Sequence, residues 1–207
     1  RASDPTAMNL GKKDRQAQLN AYLEVLGKLK NPKALSRSGE LHTYLLSLCA
    51  TAEVSVQKLA LDAILTWKDE AVMPYATKLK DLLESGNFRD TLTTFTLSSD
   101  SNVVQPYHRP VLMPLVIRLL FGALLSRRGN RTSGAGQRAR RDAVLSALAD
   151  IGSDELVTLV DLMLAPFGDQ ARPPCDTGDR FEYVAKSPVA STRRQVGYLT
   201  LLGEVVK

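Results

Sequence analysis

Two quartets of residues recur in register and constrain most of what this chain can fold into. Asp62-Ala63-Ile64-Leu65 returns eighty positions later as Asp142-Ala143-Val144-Leu145. At the same offset, Leu79-Lys80-Asp81-Leu82 returns as Leu159-Val160-Asp161-Leu162. Both hold register although a helix–helix turn separates them in each copy. The offset is two periods of about 40 residues, the length of a HEAT-type helical hairpin. A shift near one period matches poorly, so the intervening unit, Phe88 to Ser126, is diverged or irregular. The competing architecture is a compact helical bundle with chance matches among common helix residues.

Hydrophobic spacing supports helices throughout. From Asp14, Leu19, Tyr22, Leu23, Leu26 and Leu29 recur at helical intervals until Asn31-Pro32. A second helix opens at Ser38-Gly39-Glu40-Leu41, with Leu41, Tyr44, Leu45, Leu48 and Cys49 on one face. A third, about Ala52 to Trp67, turns Val56, Leu59, Ala60, Ala63 and Ile64 inward. A fourth spans about Val72 to Glu84, with Pro74 in its first turn and Gly86 as its stop. The spacing predicts a shorter helix over Phe88 to Leu97, weakened by Thr91, Thr93, Thr94 and Thr96, and a polar turn over Ser98 to Gln105. The stretch Arg109 to Ser126 is apolar on nearly every side and reads as a helix buried among others. Helices resume at Gln137–Ile151 and Ser153–Ala165, the latter capped by Ser153-Asp154-Glu155, and end with Thr192–Val206.

Long period-two alternation is absent, so no strand is predicted. The expected fold is all-α: a HEAT/armadillo-like α-solenoid of about four antiparallel hairpins plus one extra helix. One amphipathic hairpin cannot bury its own face, whereas stacked hairpins bury one another's. Residues 1–11 read as a flexible leader and 12–207 as a single repeat segment. Loops are expected at 127–136 and 166–186, where Gly, Pro and charge offer little to bury. The chain opens Arg1-Ala2-Ser3-Asp4 and meets its first Met at Met8, the pattern expected of a piece of a longer protein. An excised solenoid piece, with its end helices uncovered, is also expected to self-associate.

Composition narrows the classes further. At 44% hydrophobic and 24% charged, the chain is neither disordered nor fibrous. Cys49 and Cys175 stand in no metal or redox spacing, which suits a reducing compartment. The longest greasy run, Val111 to Leu125, falls short of the roughly 20 residues a membrane span needs and carries Arg118. Neither membrane insertion nor a signal peptide is expected.

Catalytic chemistry finds little support. Only His42 and His108 exist, and neither has Cys, Asp or Glu at metal-ligand spacing. His108 precedes Arg109-Pro110, where helix capping is the expected role. Gly134-Ala135-Gly136 has the composition of a phosphate-cradling loop, but no strand precedes it and no Lys-Ser/Thr follows. No enzyme activity, catalytic residue, cofactor, metal or small-molecule substrate is expected. Trp67, Tyr75 and Phe95 are read as core; Phe181 and Tyr183 as packing of the second loop.

Charge is more informative. From Ser101 to Arg141 the chain has Arg109, Arg118, Arg127, Arg128, Arg131, Arg138, Arg140 and Arg141, with no Asp, Glu or Lys. Guanidinium forks suit phosphate pairs in a way point-charge ammonium groups do not. Arg127, Arg128, Arg131, Arg138, Arg140 and Arg141 are the candidate contacts to RNA phosphates or an acidic partner. Two other readings stand beside this: a solvated, solubilising loop, and a bipartite basic nuclear-import signal formed by Arg127-Arg128 and Arg138-Ala139-Arg140-Arg141.

The run His108-Arg109-Pro110-Val111-Leu112-Met113-Pro114-Leu115-Val116-Ile117-Arg118-Leu119-Leu120-Phe121-Gly122, followed by a basic glycine-containing loop and Arg141-Asp142-Ala143-Val144-Leu145, resembles the down-regulated-in-metastasis family. Its members are the very large HEAT-repeat component numbered twenty of the U-three small nucleolar ribonucleoprotein, or small-subunit processome. Trp67-Lys68-Asp69-Glu70, Pro74-Tyr75 with Leu79 to Leu83, and Leu201-Leu202-Gly203-Glu204-Val205-Val206-Lys207 fit the same pattern. The resemblance covers most of Gln18 to Lys207 and is strongest over His108 to Phe121. It implies a non-enzymatic α-solenoid scaffold of the nucleus and nucleolus, serving small-subunit assembly and precursor ribosomal RNA processing. Its implied partners are pre-ribosomal proteins, precursor ribosomal or small nucleolar RNA, and the remainder of its own solenoid. A protein-only adaptor, such as a transport-receptor-like peptide binder, is the alternative.

Overall fold

The computed structural model describes residues 11–126, 134–167 and 192–205. Among them are nine α-helices and no strand: α1 (Lys12–Leu26), α2 (Ser38–Cys49), α3 (Val54–Leu65), α4 (Ala76–Asp81), α5 (Phe88–Thr94), α6 (Arg109–Leu125), α7 (Gly134–Ala149), α8 (Ser153–Leu164) and α9 (Thr192–Val205). Helices pack mainly on near neighbours in the chain. α3 lies against α1 and α2, α4 against α3 and α5, α7 against α5, and α9 against α8. The fold is an all-α helical repeat.

α6 joins the two copies of the repeat. It packs on α2 and α3 on one side and on α7 and α8 on the other. That explains its all-round apolar sequence: Leu112, Met113, Leu115, Val116, Ile117, Leu119, Leu120 and Phe121 are all buried. Fully burying a side chain of this size contributes about 1.5–3 kcal/mol, so α6 contributes substantially to cohesion. Pro110 sits in its first turn, where the missing N–H costs nothing.

The repeated quartets keep the same inside–outside order at several matched positions. Ile64 and Val144 are buried while Asp62 and Asp142 are exposed; Leu79 and Leu159 are both fully buried. One difference follows from sequence alone. Asp62 on α3 pairs with Lys80 on α4 at 2.8 Å, whereas the position matching Lys80 is Val160, 39% exposed.

Several local expectations are corrected. The fourth helix is shorter than Val72 to Glu84: Met73–Tyr75 is a 3-10 turn around Pro74, and α4 ends at Asp81. α5 stops at Thr94 rather than Leu97, after the Thr93 and Thr94 hydroxyls donate to the carbonyls of Arg89 and Asp90. The loop expected over 127–136 gives way to helix at Gly134. Tyr22, 60% exposed, faces outward, because Leu19, Leu23 and Leu26 already fill the narrow stripe of α1 that meets α3. Most of the loop expected over 166–186, with Phe181 and Tyr183, lies outside the described residues, as does most of the leader over 1–11.

Candidate nucleic-acid interface

Folding divides the acid-free arginine run into side chains with different surroundings. Arg109, at the start of α6, spans to α8: its Nε donates to Glu155 Oε1 at 2.8 Å and its Nη2 to Glu155 Oε2 at 2.6 Å. Nη2 also donates to the Leu97 carbonyl at 2.9 Å. The two side chains are only 11% and 18% exposed, so this two-pronged pair is a link within the fold. Glu155 does a second job by accepting the Gly152 N–H at 3.3 Å. Gly152 is the N-cap and has no side chain, so the cap expected of Ser153-Asp154-Glu155 comes from Glu155 reaching back.

Arg118, in mid-α6, donates from Nη1 to the Pro114 carbonyl one turn back, at 2.7 Å. Burial lowers its pKa; the nearby Cys49 and Asp161 pull the other way.

On α7 the candidates diverge again. Arg138 is exposed; Arg140 and Arg141 are half-buried. The Arg140 guanidinium lies 4.0 Å over the Phe88 ring of α5, a cation–π contact across the α5–α7 packing. Its Nε is buried with no hydrogen-bond partner, and burial lowers its pKa. Arg140 therefore faces the neighbouring helix and not outward. Arg127, Arg128 and Arg131 lie outside the described residues.

Both histidines are structural neighbours of aromatic rings. His42 packs edge-on against Trp67, 5.3 Å between ring centres, while Trp67 Nε1 donates to Ser38 Oγ at 3.2 Å. Burial pushes the His42 pKa down, with Asp69 opposing. His108 makes no side-chain cap on α6, correcting that expectation. Its Nδ1 is instead 3.0 Å from Tyr75 Oη, which also accepts the Gln105 N–H at 3.0 Å. The Tyr75 hydroxyl thus joins the Gln105 main chain to the His108 ring. Trp67, Tyr75 and Phe95 are buried as expected of core residues.

Sequence reasoning missed Gln57, a polar side chain with no exposure at all. Its Nε2 donates to the Cys49 carbonyl at 2.6 Å and to the Leu119 carbonyl at 3.2 Å, tying α3 to the C-terminal end of α2 and to the body of α6. The only available signal was its place beside Val56 in an otherwise apolar stripe. Among the described residues, no three His, Cys, Asp or Glu side chains group where they could hold a metal ion, and no helix is long and apolar enough to cross a membrane.

Helices stacked on their chain neighbours around a shared apolar core define a helical-repeat protein. A family model described as "U3 small nucleolar RNA-associated protein 20, N-terminal" matches residues 13–207, and the chain belongs to that family. Two curated relatives carry the name U3 small nucleolar RNA-associated protein 20. The Schizosaccharomyces pombe protein is 37% identical over 154 residues, 73% of this chain and 6% of its own length. The Saccharomyces cerevisiae protein is 38% identical over 130 residues, 62% of this chain and 5% of its own. The chain therefore spans a small part of the relatives it matches.

Proposed function

We propose that the chain is a non-enzymatic scaffold segment in ribosome biogenesis, acting in the nucleus and nucleolus. It holds proteins of the small-subunit processome and precursor RNA while that RNA is processed toward the small-subunit ribosomal RNA. The observation that carries this reading is the family match over residues 13–207, together with relatives named for association with U3 small nucleolar RNA. A helical repeat suits the task, because each unit contacts only its neighbours and leaves long faces for large partners.

RNA contact is assigned to Arg127, Arg128, Arg131 and Arg138, with Arg138 exposed at the start of α7. Arg140 and Arg141, half-buried on α7, are read as supports of the helix and not as contacts. Four phosphate contacts would make single-stranded affinity fall about 50-fold between about 50 and 200 mM salt.

Depletion of the protein from cells tests the role. Accumulation of unprocessed small-subunit RNA precursor, with ultraviolet crosslinks from the protein to that precursor or to small nucleolar RNA, is the expected result. Normal precursor processing after depletion would overturn it.

A further inference from the structure

The turn between α1 and α2 carries positive charge without ion pairs among the described residues, in a part of the chain separate from the arginine run. Lys28, Lys30 and Lys33 are all exposed and make no ion pair among the described residues. The sequence has no Asp or Glu between Glu24 and Glu40. Acids near the turn are mostly occupied: Glu40 is bound by Arg37, and Asp62, which lies against Gly27, is held by Lys80 at 2.8 Å. Glu24, one helical turn before Lys28, is exposed and makes no ion pair. Three lysines elsewhere are engaged: Lys58 on Glu84 at 2.6 Å, Lys80 on Asp62 at 2.8 Å and Lys78 over the Phe95 ring.

The turn is also built to hold its shape. Pro32 is buried, and Pro32–Ala34 forms a 3-10 turn. Main-chain bonds run from Leu29 N to Leu26 O at 3.2 Å, Leu35 N to Pro32 O at 3.1 Å and Ser38 N to Leu35 O at 3.2 Å. Three ammonium groups within six residues thus project from a backbone already ordered, which lowers the entropy lost on binding.

We infer that the α1–α2 turn is a second phosphate-docking surface, on which Lys28, Lys30 and Lys33 hold the backbone of a single-stranded RNA. Nucleic-acid interfaces are strongly positive, whereas the cores of protein–protein interfaces are depleted in lysine and built on aromatic or arginine anchors. The choice of RNA as the polyanion rests on the function proposed above.

The test is fluorescence anisotropy of a labelled short polyuridine against the full chain and two variants. One is K28Q/K30Q/K33Q; the other is K28R/K30R/K33R, which restores the charge. Because all three side chains are exposed, circular dichroism should be unchanged in both. The Gln variant is expected to bind at least about tenfold more weakly at about 50 mM salt, and its log–log salt slope to be shallower by about 2. The Arg variant is expected to bind as the parent does. Equal binding and equal slope for parent and Gln variant would overturn the lysine surface while leaving RNA binding elsewhere intact. No polyuridine binding by the parent would overturn RNA contact altogether. Tighter binding of a labelled polyglutamate of matched charge would reassign the turn to an acidic protein.

Discussion

Gly122 of α6 comes so close to Gln57 of α3 that no Cβ fits between them. A methyl group there would collide with Gln57 Nε2 and with the Thr51 carbonyl. The close approach lets Gln57 reach the Leu119 carbonyl while holding the Cys49 carbonyl. Gly122→Ala is therefore expected to destabilise the fold by about 1–3 kcal/mol, as overpacking does, lowering the melting temperature by about 3–10 °C. Adding Gln57→Ala should recover only part of this, because Thr51 contributes main chain that cannot turn away. Thermal unfolding of both variants checks the order.

The Arg109–Glu155 link makes a sharper demand. Arg109→Ala would leave Glu155 partly buried and strip a donor from the Leu97 carbonyl. A loss of about 3–5 kcal/mol is expected. Replacing both partners with apolar residues of similar volume, as in R109M/E155L, should cost less than Arg109→Ala alone. Urea denaturation at fixed pH reads both, and a single mutant milder than the double would contradict the account.

Arg138 and Arg140 should separate binding from stability. Arg140→Gln removes a cation–π contact with Phe88, expected to cost about 0.5–2 kcal/mol with little change in RNA affinity. Arg138→Gln on the exposed side should leave the melting temperature within about 1 °C and weaken RNA binding. The reverse pattern would move the contact to the other face of α7.

Cys49 should be chemically silent while the protein is folded. Burial pushes its pKa up to about 12 from 9.0, and the thiolate is the reactive form. Iodoacetamide at pH 8 should label the Cys49 peptide only in denaturant, read by mass spectrometry. The pH consequence follows from the sign of the shift. Above pH 9.0 the unfolded chain releases a proton that the folded one retains until about pH 12, so stability falls across that window. Cys49→Ala should lack this component of the alkaline decline.

His42 works in the opposite direction. Its folded pKa is depressed by burial below 6.5, so the unfolded chain takes up a proton first as pH falls. The stability it contributes is complete above pH 6.5 and is lost as pH drops through the folded value. An imidazole NMR titration midpoint below 6.5, and an acid limb that shifts in His42→Gln, are expected.

Helix content and repeat period were legible in the sequence because both rest on local spacing. Leu45, Leu48 and Cys49, or Leu159 and Met163, reach the core from positions set by 3.6-residue periodicity alone. Tyr22 and Tyr44 were harder, since their exposure, 60% and 39%, depends on how wide a stripe the neighbouring helix covers. The candidate interface was the least legible part. Arg109 and Arg140 stand in a stretch without acids, yet folding brings Glu155 to one and Phe88 to the other. Linear charge density could not reveal partners that lie in other helices.

Sequence by itself determined that this chain forms helices, that they repeat, and that most of the segment from Leu112 to Phe121 is buried, because hydrophobic spacing and all-round apolarity are properties of each segment taken alone. Tertiary structure alone decided which cations stay free for a partner, that Gly122 must remain a glycine and that Gln57 could be buried. Those outcomes depend on distances between residues remote along the chain, and such distances exist only once the helices have packed.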